Sequence, residues 1–226
     1  MLRRCLLATI SLLASVGLAH AQTPPSPPPA AAEQAPTRDS MEAPQVGDHW
    51  TYELRDDITG DLKSITTHTI SDVSATEISI RFEVLGKSGY SYQTYDRSWD
   101  IIDTGTWRYT PNDGSGVRMP LAVGKSWTFK SSDSNSTAGL SQKRTGTSKV
   151  TAKENVTTRA GTFEAYKIET SIEMRNANDA TRKYQFEQQV WYVPEINHWV
   201  KRTFVRSSDG QVRDRGALEM VEYGRR

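Results

Sequence analysis

WYVPEINHWVKRTF, residues 191–204, reads as two strands joined by a turn, and that reading decides the fold. Proline has no N–H to give to a ladder, so Pro194-Glu195-Ile196-Asn197 is the turn, and the returning strand runs from His198 to Arg206. A tryptophan flanks the turn on each side. Trp191, Tyr192, Trp199 and Val200 supply apolar cover, which marks the stretch as an architectural hinge rather than an active-site loop.

Upstream, Tyr166, Ile168, Thr170, Ile172 and Met174 share one face of a strand, while Lys167, Glu169, Ser171 and Glu173 share the other. Asn176 to Asp179 turns the chain, and Tyr184, Phe186, Val190 and Tyr192 resume the alternation. Downstream, SSDGQV (residues 207–212) is an Asp-Gly hairpin signal leading into a last strand through Leu218, Met220 and Tyr223. The first half behaves in the same way: Trp50, Tyr52 and Leu54 alternate, DDITGD turns the chain, and Ile78, Ile80, Phe82 and Val84 line one face. Helical spacing is absent. These runs amount to about ten to twelve antiparallel strands in sequential order. The expected fold is therefore all-β, a large antiparallel meander curled into a half-barrel or barrel-like sheet. Periodicity alone leaves a curved sheet, an open barrel and a closed barrel standing.

VGDHWTY (46–52) is echoed by VGKSWTF (123–129), which suggests two related halves, 45–116 and 117–226, within one continuous domain. PNDGSG (111–116) is the richest turn signal and the expected boundary, with Gly114-Ser115-Gly116 as a hinge. Residues 41–116 carry 6 basic and 13 acidic side chains, and residues 117–226 carry 19 and 12. Packed together, the halves would be electrostatically complementary; left exposed, the basic half would attract an anionic polymer.

The amino terminus predicts export. Arg3 and Arg4, an apolar run from Leu6 to Leu18, and Ala19-His20-Ala21 make a cleavable signal peptide over 1–21. Cys5, the only cysteine, precedes the apolar run, on the wrong side for lipid attachment after cleavage. The expected product is periplasmic or secreted, not a lipoprotein, with no transmembrane segment and neither disulfide nor thiolate chemistry. Residues 22–44 hold seven of the ten prolines and read as a disordered tether.

VGKSWTF, AGTFEAYKIE (160–169) and WYVPEINHWVKRTF together resemble a group of exported bacterial β-rich proteins of unassigned function, in which VGxxWTY, AGTFxxYKI and WYxP…VKR motifs recur. The resemblance implies location and β architecture and transfers no catalytic residue. At fold level, such a sheet is similar to half-barrel lipoprotein carriers and lipocalin-like binders.

Catalytic chemistry finds no foothold. There is no G-x-S-x-G, and Glu164, Glu169, Glu173, Glu187 and Glu195 fall mostly on polar strand faces. His49, His68 and His198 are not at metal-ligand spacing, and Asp56, Asp57 and Asp61 lack the order of a calcium loop, so no metal or cofactor is expected. The candidate ligand-binding residues come from an aromatic stretch: Tyr90, Tyr92, Trp99 and Trp107, whose rings could stack on a ligand. The leading expectation is a non-catalytic envelope protein that binds or carries an apolar or amphipathic ligand within the curled sheet. The alternatives are a module docking on an anionic or glycan envelope polymer and a hydrolase of such polymers. Expected partners are a lipid, a glycan or another envelope component; nucleic acid is not expected of a nearly neutral exported chain, and no signal for oligomeric state is present.

Overall fold

In a computed structural model, the residues described are 41–179 and 181–225. The expected signal peptide and the expected tether as far as residue 40 lie outside them. Twelve strands follow in order: β1 (His49–Arg55), β2 (Leu62–Val73), β3 (Glu77–Val84), β4 (Ser91–Asp96), β5 (Ile101–Asp103), β6 (Arg108–Thr110), β7 (Ser126–Asn135), β8 (Leu140–Thr158), β9 (Gly161–Asn176), β10 (Lys183–Val193), β11 (His198–Ser208) and β12 (Gln211–Gly224). Every strand pairs with its sequence neighbours, and β1 also pairs with β12, closing the meander into a barrel.

The half-barrel alternative is corrected by that closure. β1 has ladders on both edges, Trp50 opposite His68 on β2 and opposite Tyr223 on β12. Register shifts, among them Thr51/Tyr52, Ile70/Asp72, Val150/Ala152 and Trp191/Tyr192, each place an extra residue in one strand and tighten its bend. Closure leaves no exposed edge on β1 or β12.

Alternation holds where the sequence shows it. In β9, Ile168, Thr170 and Ile172 are buried, and in β10 Phe186 and Gln188 are buried. The opening turn is a single 3-10 turn over Pro194–Ile196, stopped by Asn197 in the left-handed conformation (φ 48°), whose N–H bonds the Pro194 carbonyl. Because strands alternate in direction, the turns after β2, β4, β6, β8 and β10 gather at one end. There Trp50, Met41 and Ile196 join a buried cluster. Met41, which the sequence reading places in the tether, is 2% exposed, and its N–H bonds the Glu195 carbonyl.

The sequence echo is a structural one. Gly47 and Gly124 have positive φ and donate to the Ile70 and Val150 carbonyls, and Asp48 and Lys125 accept from the N–H groups of Ile70 and Val150. The two copies thus open the first and seventh of the twelve strands. The expected hinge at Gly114–Gly116 is corrected: the loop is packed. Gly116 N–H bonds Asp100 Oδ1 at 2.7 Å, and a Cβ on Gly114 would lie 2.0 Å from the Phe129 ring. The acidic and basic halves meet in ion pairs, Arg225 with Asp48 at 2.8 Å and Arg159 with Glu53. Among the described residues no helix is long and apolar enough to cross a membrane.

A cationic aromatic cavity inside the barrel

Inward-facing positions do not fill the barrel. A cavity of about 330 Å³ remains, walled by Phe82, Tyr95, Val190, Trp199 and Leu218, with Trp99, Tyr192 and His198 towards the end that carries the β10–β11 turn. The volume falls at the lower end of the roughly 300–1,000 Å³ typical of ligand pockets. A larger depression, about 410 Å³, is lined chiefly by outward side chains of β8 to β11, including Lys149, Glu169 and Glu187. It is shallower, with charges that face each other across strands, Lys149 opposite Glu169 for example. The interior cavity is the better candidate site, because aromatic walls and buried polar groups converge there.

The floor is rigid. Trp99 sits in the turn between β4 and β5 with φ 66°, a conformation that costs a bulky residue energy and persists only where its surroundings impose it. Asp96 Oδ1 accepts the N–H groups of Ser98 and Asp100, which fixes that turn. The Trp99 indole N–H donates to Asn197 Oδ1 at 3.0 Å, and the Tyr192 hydroxyl donates to the same oxygen at 2.7 Å. The hairpin turn at Asn197 thereby holds the strained tryptophan, whose ring meets Trp50 edge-on at 6.0 Å and His198 at 4.9 Å.

Beneath Trp199, Tyr52 stacks at 3.8 Å. Its hydroxyl donates to the Trp199 carbonyl at 2.8 Å and lies 2.9 Å from His198 Nδ1. A hydroxyl has one proton, so the ring donates the second bond and His198 carries its proton on Nδ1. Burial pushes the His198 pKa down to about 3, and burial, then the neighbouring His198 and Arg202, holds His68 well below the usual histidine range. Burial raises the tyrosines, Tyr109 to about 12. Near neutral pH these groups are therefore uncharged. What charge the wall carries comes from Arg202 and Arg206, and among the described residues no carboxylate lines the cavity.

The four ligand-binding candidates part company. Tyr90 and Tyr92 are 62% and 49% exposed and meet each other edge to face at 5.2 Å, and Ile80 and Gln93, not Tyr92, take the inward register across β3 and β4. Trp107 closes the β5–β6 turn through its backbone, bonding Thr104. Only Trp99 reaches the cavity. Tyr95 and Tyr109, in the same stretch, line it too, and strand parity with Gln93 would have shown Tyr95. Arg202 had no such signal, since an arginine among Lys201, Arg206 and the turns reads as a surface charge.

Residues 128–202 match a family model described as DUF3108-like. No curated protein matches the sequence. Among solved structures, the chain is similar to a candidate lipoprotein of Parabacteroides distasonis, with 13% identity and a TM-score of 0.53 over 82% of this chain and 99% of that one. It also matches a candidate exported protein with a YmcC-like fold from Bacteroides fragilis, at 11% identity and a TM-score of 0.49, covering 80% of this chain and 97% of that one. The hypothetical lipoprotein YmcC of Escherichia coli matches at 8% identity and a TM-score of 0.45, covering 80% and 86%. At 13% identity the likeness to the Parabacteroides protein shows a shared fold and nothing of its chemistry.

Proposed function

We propose that this protein is exported to the cell envelope and acts there as a non-catalytic binding protein, holding a small amphipathic molecule inside its barrel. The observation that carries the reading is the aromatic-walled cavity of about 330 Å³, closed at one end by a tryptophan fixed in a strained conformation. Such strain is a cost that packing alone does not call for, and it shapes the floor of the cavity. A non-catalytic role is supported by the two histidines that line the cavity: burial lowers the pKa of both, which makes them weak bases, and Nδ1 of His198 is committed to Tyr52. Export is supported by the signal-like amino terminus and by the description of the similar Parabacteroides structure as a candidate lipoprotein.

Native mass spectrometry of the protein purified from the envelope of its own host tests the reading. The expected spectrum contains a non-covalent adduct that organic extraction removes. A bare polypeptide mass, from protein whose tryptophan fluorescence also fails to respond to added amphiphiles, would remove the binding function.

A further inference from the structure

We infer that the cavity selects an amphiphile with a single carboxylate head, anchored by Arg202; this specificity rests on the binding-protein reading above.

Two arginines, Arg144 and Arg202, are enclosed by the barrel and a third, Arg206, is more exposed, and the fold treats them differently. Arg144 is paired: its Nε lies 2.9 Å from Asp133 Oδ2, its Nη1 lies 4.0 Å from Asp113, and its guanidinium sits over Tyr109. Arg206 faces Asp214 across β11 and β12, at 3.7 Å. Arg202 instead has aliphatic neighbours directly opposite on both sides, Val190 on β10 and Leu218 on β12. Its Nε is buried without a hydrogen-bond partner, and its guanidinium lies 5.6 Å from the Phe186 ring.

An arginine does not shed its proton in a protein, and a buried cation is costly unless something opposite in charge meets it. Burial is the largest influence on Arg202, and the opposing influences of Tyr95 and Asp113 come from a neutral phenol and from a carboxyl already occupied with Arg144. One diagonal step away on β10, Gln188 is 5% exposed and its Oε1 also lacks a partner; the amide can turn either its oxygen or its N–H groups to a ligand. A carboxylate accepts two parallel N–H bonds from one guanidinium fork, which suits a site with one free arginine and a neutral amide. Phe82, Tyr95, Trp199 and Leu218 then offer the apolar wall for a tail.

The test uses decanoate, decanol and decyltrimethylammonium as probes of equal tail, read by quenching of tryptophan fluorescence and by calorimetry on the intact protein. Decanoate should bind about tenfold or more tightly than decanol, the scale of one charge-assisted bond, and the ammonium most weakly. Arg202→Met keeps most of the stem and removes the charge; it should lose the preference for decanoate while still binding decanol. Equal affinities for decanoate and decanol in the unaltered protein, or a preference that survives in a folded Arg202→Met, would overturn the anchor and leave the binding function in place. Binding of none of the three would overturn both. If Arg202→Met does not fold, as judged by circular dichroism, the comparison of decanoate with decanol in the unaltered protein decides.

Discussion

His198 donates its Nδ1 proton to Tyr52, which donates its own to the Trp199 carbonyl, and both rings are buried. Burial lowers the folded-state pKa to about 3, whereas the unfolded chain has the ordinary value of about 6.5. The unfolded state therefore takes up a proton first as pH falls. The contribution is fully present above about pH 6.5 and is lost progressively down to about pH 3. Asp100 runs the other way: burial raises its carboxyl to about 6 despite the Arg118 pair, so the folded state gains as pH falls through that value. His198→Gln leaves the Asp100 effect and the burial that chiefly depresses His68 in place, so the difference reads His198 together with its own influence on His68. Chemical denaturation should show the unaltered protein losing about 2 kcal/mol more than the variant between about pH 7 and about pH 5. Parallel pH profiles would mean that His198 titrates normally. At this scale the sequence was partly legible. Trp191 and Trp199 both read as apolar cover, but Val200 is an extra residue in the ladder, so Trp199 lines the cavity while Trp191 faces outward. A period of two carries no sign of a one-residue slip.

The β8–β9 hairpin shows the same limit for a whole element. The alternation of β9 was readable, and opposite its buried Thr170 and Ile168 the β8 residues Ser148 and Val150 are buried too. The register shift between Val150 and Ala152 then re-aims the strand, and Val156 and Ala165, near its tip, join the buried cluster of Trp191, Val193 and Met220. Ala160 N–H reaches the Met220 carbonyl, and Arg159 pairs with Glu53 of β1, a residue only 6% exposed. Trp191 links the tip to the barrel wall: its indole N–H donates to Glu154 at 2.6 Å, and the ammonium groups of Lys167 and Lys201 lie 5.4 and 5.3 Å from its ring. Trp191→Ala should cost about 3–5 kcal/mol, the usual range for emptying a buried aromatic site. Because the ring faces away from the cavity, decanoate affinity should not change. Hydrogen exchange gives the sharper readout: protection should fall first over residues 154–165, where the tip loses its anchor. A uniform loss across all strands would show that the tip is not a separate unit of stability.

For the whole molecule, strand number and sequential order follow from local patterns, whereas closure does not. Each hairpin is specified by a nearby turn, such as Pro194–Ile196 or Asp209-Gly210, but the pairing of β1 with β12 joins residues that no turn connects. His49 bonds Glu222 across a separation of 173 residues. Such a contact forms only after the intervening chain has been ordered, which makes closure slow and leaves no short-range mark in the sequence. The cavity inherits the same dependence, because Leu218 of β12 completes its wall and Met220 of β12 is fully buried. Removing residues 211–225 would expose the edges of both β1 and β11 and take Leu218, Met220 and Tyr223 out of the core. The shortened chain should lose its sharp thermal transition and its near-ultraviolet tryptophan signal, since the rings around Trp50 and Trp199 would no longer be fixed. A synthetic peptide of residues 211–225, added in trans, should restore both signals by re-forming the two ladders. A cooperative transition in the shortened chain without the peptide would mean that the eleven remaining strands hold Trp50 and Tyr52 in place by themselves, and that closure shapes the cavity without stabilising the fold.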